Sequence, residues 1–240
     1  MDAAQYPKAR KQNPRLAPVL QIGAFRLEGR SAGVVLLSIL LLFLGWLIYK
    51  RPWMNNWPLW LSGAGWVAFN IYWSVAARNS APAKKSESPE SRRIHQYLLS
   101  AALLLLFIPI PGLQQRFLPA TPIVVLAGLT LQAACGLLGV WARRHLGAQW
   151  SGQVAVKVEP HLVRSGPYRV LRHPIYTAWL GMYAGPAIVS GQLHAFLAVA
   201  LVAFAYGRKI LIEEAALHQA FGQTYASYRR DTWALIPWLF

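Results

Sequence analysis

Residues 173–207 contain no Asp, Glu, Lys or Arg, and this uncharged run separates a basic, turn-rich loop from an acidic pair. The loop is the stretch 161–176, His-Leu-Val-Arg-Ser-Gly-Pro-Tyr-Arg-Val-Leu-Arg-His-Pro-Ile-Tyr, and the acids are Glu213 and Glu214. Ser190-Gly191-Gln192 breaks the run into two apolar segments, so the pattern predicts a helical hairpin with a site at a membrane surface. Composition agrees: 55% of residues are hydrophobic, 13% are charged, eleven are Trp, and the mean hydropathy is +0.32, outside the soluble globular range. A net charge of +16 would suggest nucleic acid in a soluble protein, but here the basic residues fall in the gaps between apolar runs. That distribution argues against a nucleic-acid partner. The single cysteine, Cys135, cannot form an internal disulfide or a cysteine zinc cluster, and no metal site is expected.

Residues 1–30 carry six Lys or Arg and three prolines, which predicts a basic cytoplasmic tail without a continuous helix. Residues 31–142 are expected to hold four transmembrane helices, at 31–49, 53–77, 94–111 and 117–142. Trp53, Trp57 and Trp60 at one end of the second run, with Tyr72 and Trp73 at the other, suit aromatic belts at two interfaces. Within it, 63–68 matches a dinucleotide-binding glycine pattern, but no strand precedes it, and small residues equally let membrane helices approach closely. Residues 78–93 have the composition of a solvated, flexible linker. From 143 to 240 the pattern changes: a basic turn at Arg143-Arg144-His145, a short extended stretch at 153–158, the motif loop, a short helical hairpin at 174–207, and a C-terminal amphipathic segment at the membrane surface.

The expected fold is therefore all-α and integral to the membrane, with about six membrane segments including the short hairpin. If the tail is cytoplasmic, every Lys and Arg except Lys50, Arg51 and Arg116 falls on the cytoplasmic side. By the positive-inside rule both termini and the motif loop face the cytosol.

Arg164, Arg169, Arg172 and His173 make the loop strongly cationic, and Pro174 both displaces His173 from helical geometry and starts the next helix. An anionic ligand group would be favoured at that helix N-terminus. Glu213 and Glu214 require partners at the end of an apolar helix. A cationic or polyhydroxylated ligand would serve, and so would the loop arginines. Lys209 lies four residues before Glu213 on the same helical face. The parts suit transfer of a group from a charged, water-soluble donor to an acceptor in the membrane.

Leu162-Val163-x-x-Gly166-x-Tyr168, Arg172-His173-Pro174-x-Tyr176, and Glu213-Glu214-x-x-Leu217-x-x-x-Phe221-Gly222-x-x-Tyr225-x-x-Tyr228 resemble the isoprenylcysteine carboxyl methyltransferase family. This is a family of integral membrane methyltransferases related to phospholipid methyltransferases. The resemblance covers roughly the last 90 residues and implies S-adenosyl-L-methionine bound in a cytosol-facing pocket. A lipophilic methyl acceptor would reach the pocket from the bilayer.

Carried over by position, the cofactor contacts would be Gln153, Pro160, His161, Leu162, Val163, Tyr168, His173, Pro174, Ile175, Tyr176 and Glu213. Lys209 corresponds to the acceptor-carboxylate contact, and Glu214 or His173 is the candidate proton acceptor should the nucleophile be an amine. Eukaryotic members carry Arg where Lys209 stands, and Lys lacks Arg's two-pronged fit to a carboxylate. They also carry a His at the position of Pro160, with His161 one place later here. The acceptor implied first is an isoprenylcysteine-like carboxylate, with a phospholipid amine or small thiol as alternative. A sterol-type reductase and a non-enzymatic protein that binds anionic membrane lipids are the remaining readings.

Overall fold

The computed structural model describes residues 19–22, 25–28, 57–78, 83–108, 110–151, 155–157 and 161–238. The expected helix at 31–49, most of the basic tail, Gln153 and Pro160 lie outside them. Six helices carry the described fold: α1 (Trp57–Ala76), α2 (Pro89–Phe107), α3 (Pro122–Leu146), α4 (Pro174–Ser190), α5 (Leu193–Phe221) and α6 (Gln223–Arg230). Two short antiparallel pairings depart from the all-α expectation: β1 (Val19–Ile22) with β2 (Phe25–Glu28), and β3 (Ala83–Ser86) with β4 (Ala155–Lys157).

The 78–93 segment is thus not simply a solvated linker. Its middle forms β3, and its end starts α2, where the Ser88 hydroxyl accepts from the Ser91 N–H at 3.2 Å and Pro89 takes the first helical position. Both are favourable helix-start devices. The hairpin also differs from expectation. Its turn falls at Gly191, whose left-handed backbone (φ 63°, ψ 8°) caps α4, but α5, 29 residues long, runs past Gly207 to Phe221. Charges from Arg208 onward end the apolar run without ending the helix, so the acidic pair lies within α5.

Among the described residues, Pro122–Gln149 and Leu193–Phe221 are long and apolar enough to cross a membrane. A soluble core helix would be largely covered, yet only 17% of the apolar stretch in the first is buried inside the protein. Ile123, Leu126 and Leu137 project from it 81%, 65% and 71% exposed, an apolar surface suited to lipid. The other helices at expected span positions are shorter or less apolar.

Helix α3 packs along α4, α4 along α5, and α2 against α5. The α3–α4 seam is made by glycine: a Cβ on Gly181 would stand 2.1 Å from Cys135 Sγ, and one on Gly185 2.7 Å from Gly128 O. Small residues give membrane helices this close approach. Cys135 is accordingly a packing residue. Gly65 also packs, with Gln132 Nε2 3.3 Å from where its Cβ would be, so the glycine pattern at 63–68 serves helix contact.

Buried polar groups of α1 and α3 pair with one another, as a low-dielectric interior favours. Ser62 donates to Gln132 Oε1 at 2.6 Å, and Gln132 Nε2 returns a bond to Ser62 O at 2.8 Å. Pro186, inside α4, has no N–H to give Met182 O. The Trp66 indole N–H takes its place at 2.9 Å. Trp66, Phe69 and Trp73 then pack on Trp179 and Tyr183, with Trp66–Tyr183 centroids 4.8 Å apart at 84°.

Candidate active site

The site is assembled where the ends of α3, α4 and α5 meet the motif loop. On α5, Glu213, Ala216, Leu217, Ala220 and Phe221 recur at three- and four-residue intervals and form one face. The start of α4 contributes His173, Ile175 and Tyr176, the loop contributes His161, Leu162, Val163, Tyr168 and Arg172, and α6 contributes Tyr225 and Tyr228. The turn after α3 closes the remaining side with Leu146, Gln149, Trp150 and Ser151. The cavity opens to solvent, and with its mouth counted it holds about 1010 Å³ of empty space.

Local chain chemistry fixes these positions. Pro174 occupies the first turn of α4 and His173 precedes it at φ −124°, ψ 55°, outside the helical region as the sequence predicts. The C-terminal strap holds the loop in register: Arg172 N–H donates to Trp233 O at 2.7 Å, His173 N–H to Ala234 O at 3.0 Å, and Trp233 N–H to Val170 O at 3.0 Å. Thr177 Oγ1 adds a bond to Leu235 O at 2.7 Å, and Tyr228 Oη donates to Tyr168 O at 2.7 Å. The amphipathic C-terminal segment is therefore bound to the loop, not merely laid on a surface. Arg143, buried, donates to Gly147 O and Ala76 O while its guanidinium covers Trp150 at 4.5 Å, which pins the turn after α3.

The adjacent glutamates are separated in task. Glu213 faces the cavity, its side chain 31% exposed, and Tyr176 Oη donates to its Oε2 at 2.5 Å. Glu214 points to protein: Arg172 Nε lies 2.8 Å from Oε1 and Arg229 Nε 3.3 Å from Oε2. Buried His173 stands between them, Nδ1 at 3.6 Å from Glu213 and Nε2 at 3.4 Å from Glu214. The His173 ring stacks on Tyr176 (5.4 Å, 7°), and Tyr176 stacks on Tyr206 (4.8 Å, 23°). Lys209 Nζ sits 5.7 Å over the Tyr176 ring, buried and one helical turn before the cavity-lining face of α5.

Three tyrosines outside the membrane-length helices have their hydroxyls held protonated. Burial raises Tyr168, with Glu213 adding to the effect, and raises Tyr225. Burial also pushes Tyr228 up to about 12, against the pull of Arg172 and Arg164. They can donate hydrogen bonds at any working pH but cannot serve as bases.

Of the residues expected from the sequence, His161, Leu162, Val163, Tyr168, His173, Ile175, Tyr176 and Glu213 line one cavity. Pro174 is buried behind it as a helix start, Glu214 lies in the ion-pair network, and Lys209 lies beneath Tyr176. Sequence reasoning missed Trp150, Ala216 and Ala220, and it read Tyr225 and Tyr228 as motif residues without assigning them to the cavity wall. The helical spacing from Glu213 through Phe221 carried a signal for the two alanines; the turn at Trp150 carried none.

Residues 123–224 match the model of the phospholipid methyltransferase family. The fold is similar to that of a eukaryotic intramembrane Ras methyltransferase, an isoprenylcysteine carboxyl methyltransferase, with a TM-score of 0.59 at 20% identity over 85% of this chain and 74% of that one. No curated protein matches the sequence significantly. The resemblance read from the motifs therefore stands: a segment of phospholipid methyltransferase type is carried on the fold of an intramembrane methyltransferase.

Proposed function

We propose that this protein is a membrane-embedded methyltransferase that binds S-adenosyl-L-methionine in the cavity and methylates a lipophilic acceptor. The observation that carries the reading is the division of the acidic pair, which leaves Glu213 open to an aromatic, partly enclosed cavity while Glu214 is engaged by Arg172 and Arg229. The wall fits the cofactor: a carboxylate for its cationic groups, aromatic faces for its nucleoside, and hydroxyl donors for its oxygens.

When bound, the cofactor supplies a methyl group already activated as a sulfonium. An acceptor carboxylate, with an ordinary pKa near 4, is an anion at neutral pH, so the chain has no proton to remove. The task left to the residues is alignment and exclusion of water. Glu213, held by Tyr176, positions the charged end, and Leu162, Val163, Ile175 and Leu217 keep the cavity apolar between its polar contacts. Lys209, beside Tyr176 and one turn from Glu213, is the residue for an acceptor carboxylate. This supports an isoprenylcysteine-like acceptor first, with the site on the cytosolic side. The second reading, a lipid amine, would need a proton acceptor, and His173 between two carboxylates is the residue placed for it.

Methyl-transfer assays with a prenylcysteine analogue and with a lipid amine separate the two. For the carboxylate, turnover is expected to be flat from about pH 6 to 9, and Lys209→Ala should lower it while scarcely changing S-adenosylhomocysteine affinity. A rate rising with pH and an unimpaired Lys209→Ala protein would assign the site to an amine or thiol.

A further inference from the structure

Tyr225 is 1% exposed, and its hydroxyl has no hydrogen-bond partner. The hydroxyl of Tyr228, one turn later on the same helix, is used on Tyr168 O, so placement on α6 does not by itself prevent bonding. An orphaned buried phenol is an exception in folded proteins and requires a reason. Tyr225 and Arg172 both line the cavity. Arg172 commits Nε to Glu214 and Nη1 to Arg229 O and Thr232 O, which leaves Nη2 without a hydrogen bond among the described residues.

One wall of the cavity thus carries two uncommitted donors, and Glu213 on the same cavity is an acceptor. Burial, with Glu214 and Glu213 near, keeps the Tyr225 hydroxyl protonated, so it can offer its proton to an anion. A ligand bearing an ammonium and a carboxylate on one carbon matches both groups at once. Resting on the cofactor reading above, we propose that Tyr225, with Arg172, receives the carboxylate of the cofactor's methionyl end while Glu213 holds its ammonium group. Since Tyr225 already lines the cavity, a modest rotamer displacement presents its buried hydroxyl to the ligand. Such a displacement costs less than leaving a buried hydroxyl unsatisfied.

Tyr225→Phe removes one oxygen and nothing else. Four titrations in detergent test the assignment: S-adenosylhomocysteine with wild type and with Tyr225→Phe, and the decarboxylated analogue of S-adenosylhomocysteine with both, alongside thermal unfolding without ligand. The variant is expected to unfold at the same temperature or higher, because an unpaired polar atom is gone. It should bind S-adenosylhomocysteine about tenfold to a hundredfold more weakly. The two proteins should bind the decarboxylated analogue alike. Equal affinity for S-adenosylhomocysteine would overturn the contact, and an equal loss with the decarboxylated analogue would overturn its assignment to the carboxylate. A Tyr225→Phe protein that unfolds earlier would show the hydroxyl bonded within the fold and also overturn it. Wild type binding neither ligand would overturn the cofactor reading itself.

Discussion

Neighbouring residues on a helix point about 100° apart, which is why Glu213 and Glu214 share a sequence environment and not a task. The sequence shows that both need partners, but the direction of each depends on how α5 rolls against the motif loop. Glu213→Gln should leave the protein folded and weaken S-adenosylhomocysteine binding by about 1–3 kcal/mol, the range for a lost charge-assisted hydrogen bond. Glu214→Gln should act mainly on the fold. It deprives Arg172 and Arg229 of their shared carboxylate and should lower unfolding stability by about 1–3 kcal/mol, with a smaller loss of ligand affinity than Glu213→Gln, exerted through Arg172. Calorimetry and thermal unfolding on the two variants read both quantities, and a common phenotype would show that the glutamates act as one unit.

The helices were legible wherever apolar periodicity alone sets them, and illegible where their ends depend on capping or tertiary contact. Helix α4 begins and ends at the Pro174 and Gly191 signals. Helix α2 starts earlier than its apolar run because Ser88 and Pro89 supply a start within a polar segment. Helix α5 outlasts its apolar run because Arg208, Lys209 and the acids are good helix formers with Tyr176, His173 and Arg172 to meet. The glycine seam between α3 and α4 has a direct test. Gly181→Val would drive side-chain atoms into Cys135 and should cost about 1–3 kcal/mol through overpacking. Cys135→Gly should recover part of the loss. An unaffected Gly181→Val protein would mean that the two helices are not held this closely.

The whole molecule places one cavity beside apolar helices whose exposed faces suit lipid, and the motif residues for that cavity were readable because ordered side chains recur in a fixed pattern. Trp150 was not, since its turn reaches the cavity only through folding, and Tyr225 and Tyr228 stood in the pattern without showing that α6 brings them to the wall. With the cavity on the cytosolic side, Glu90→Cys and Arg144→Cys in a Cys135→Ala background should react with an impermeant thiol reagent from the cytosol. Gln114→Cys should react only from the opposite face, and the opposite labelling would invert the proposed orientation. The central claim is that Glu213 opens onto a methyl-donor site. Titration of the purified protein in detergent with S-adenosylhomocysteine, and separately with a reduced nicotinamide cofactor, tests it most directly. The account predicts saturable binding of S-adenosylhomocysteine at one site per chain and none of the nicotinamide; nicotinamide binding with no S-adenosylhomocysteine binding would contradict it.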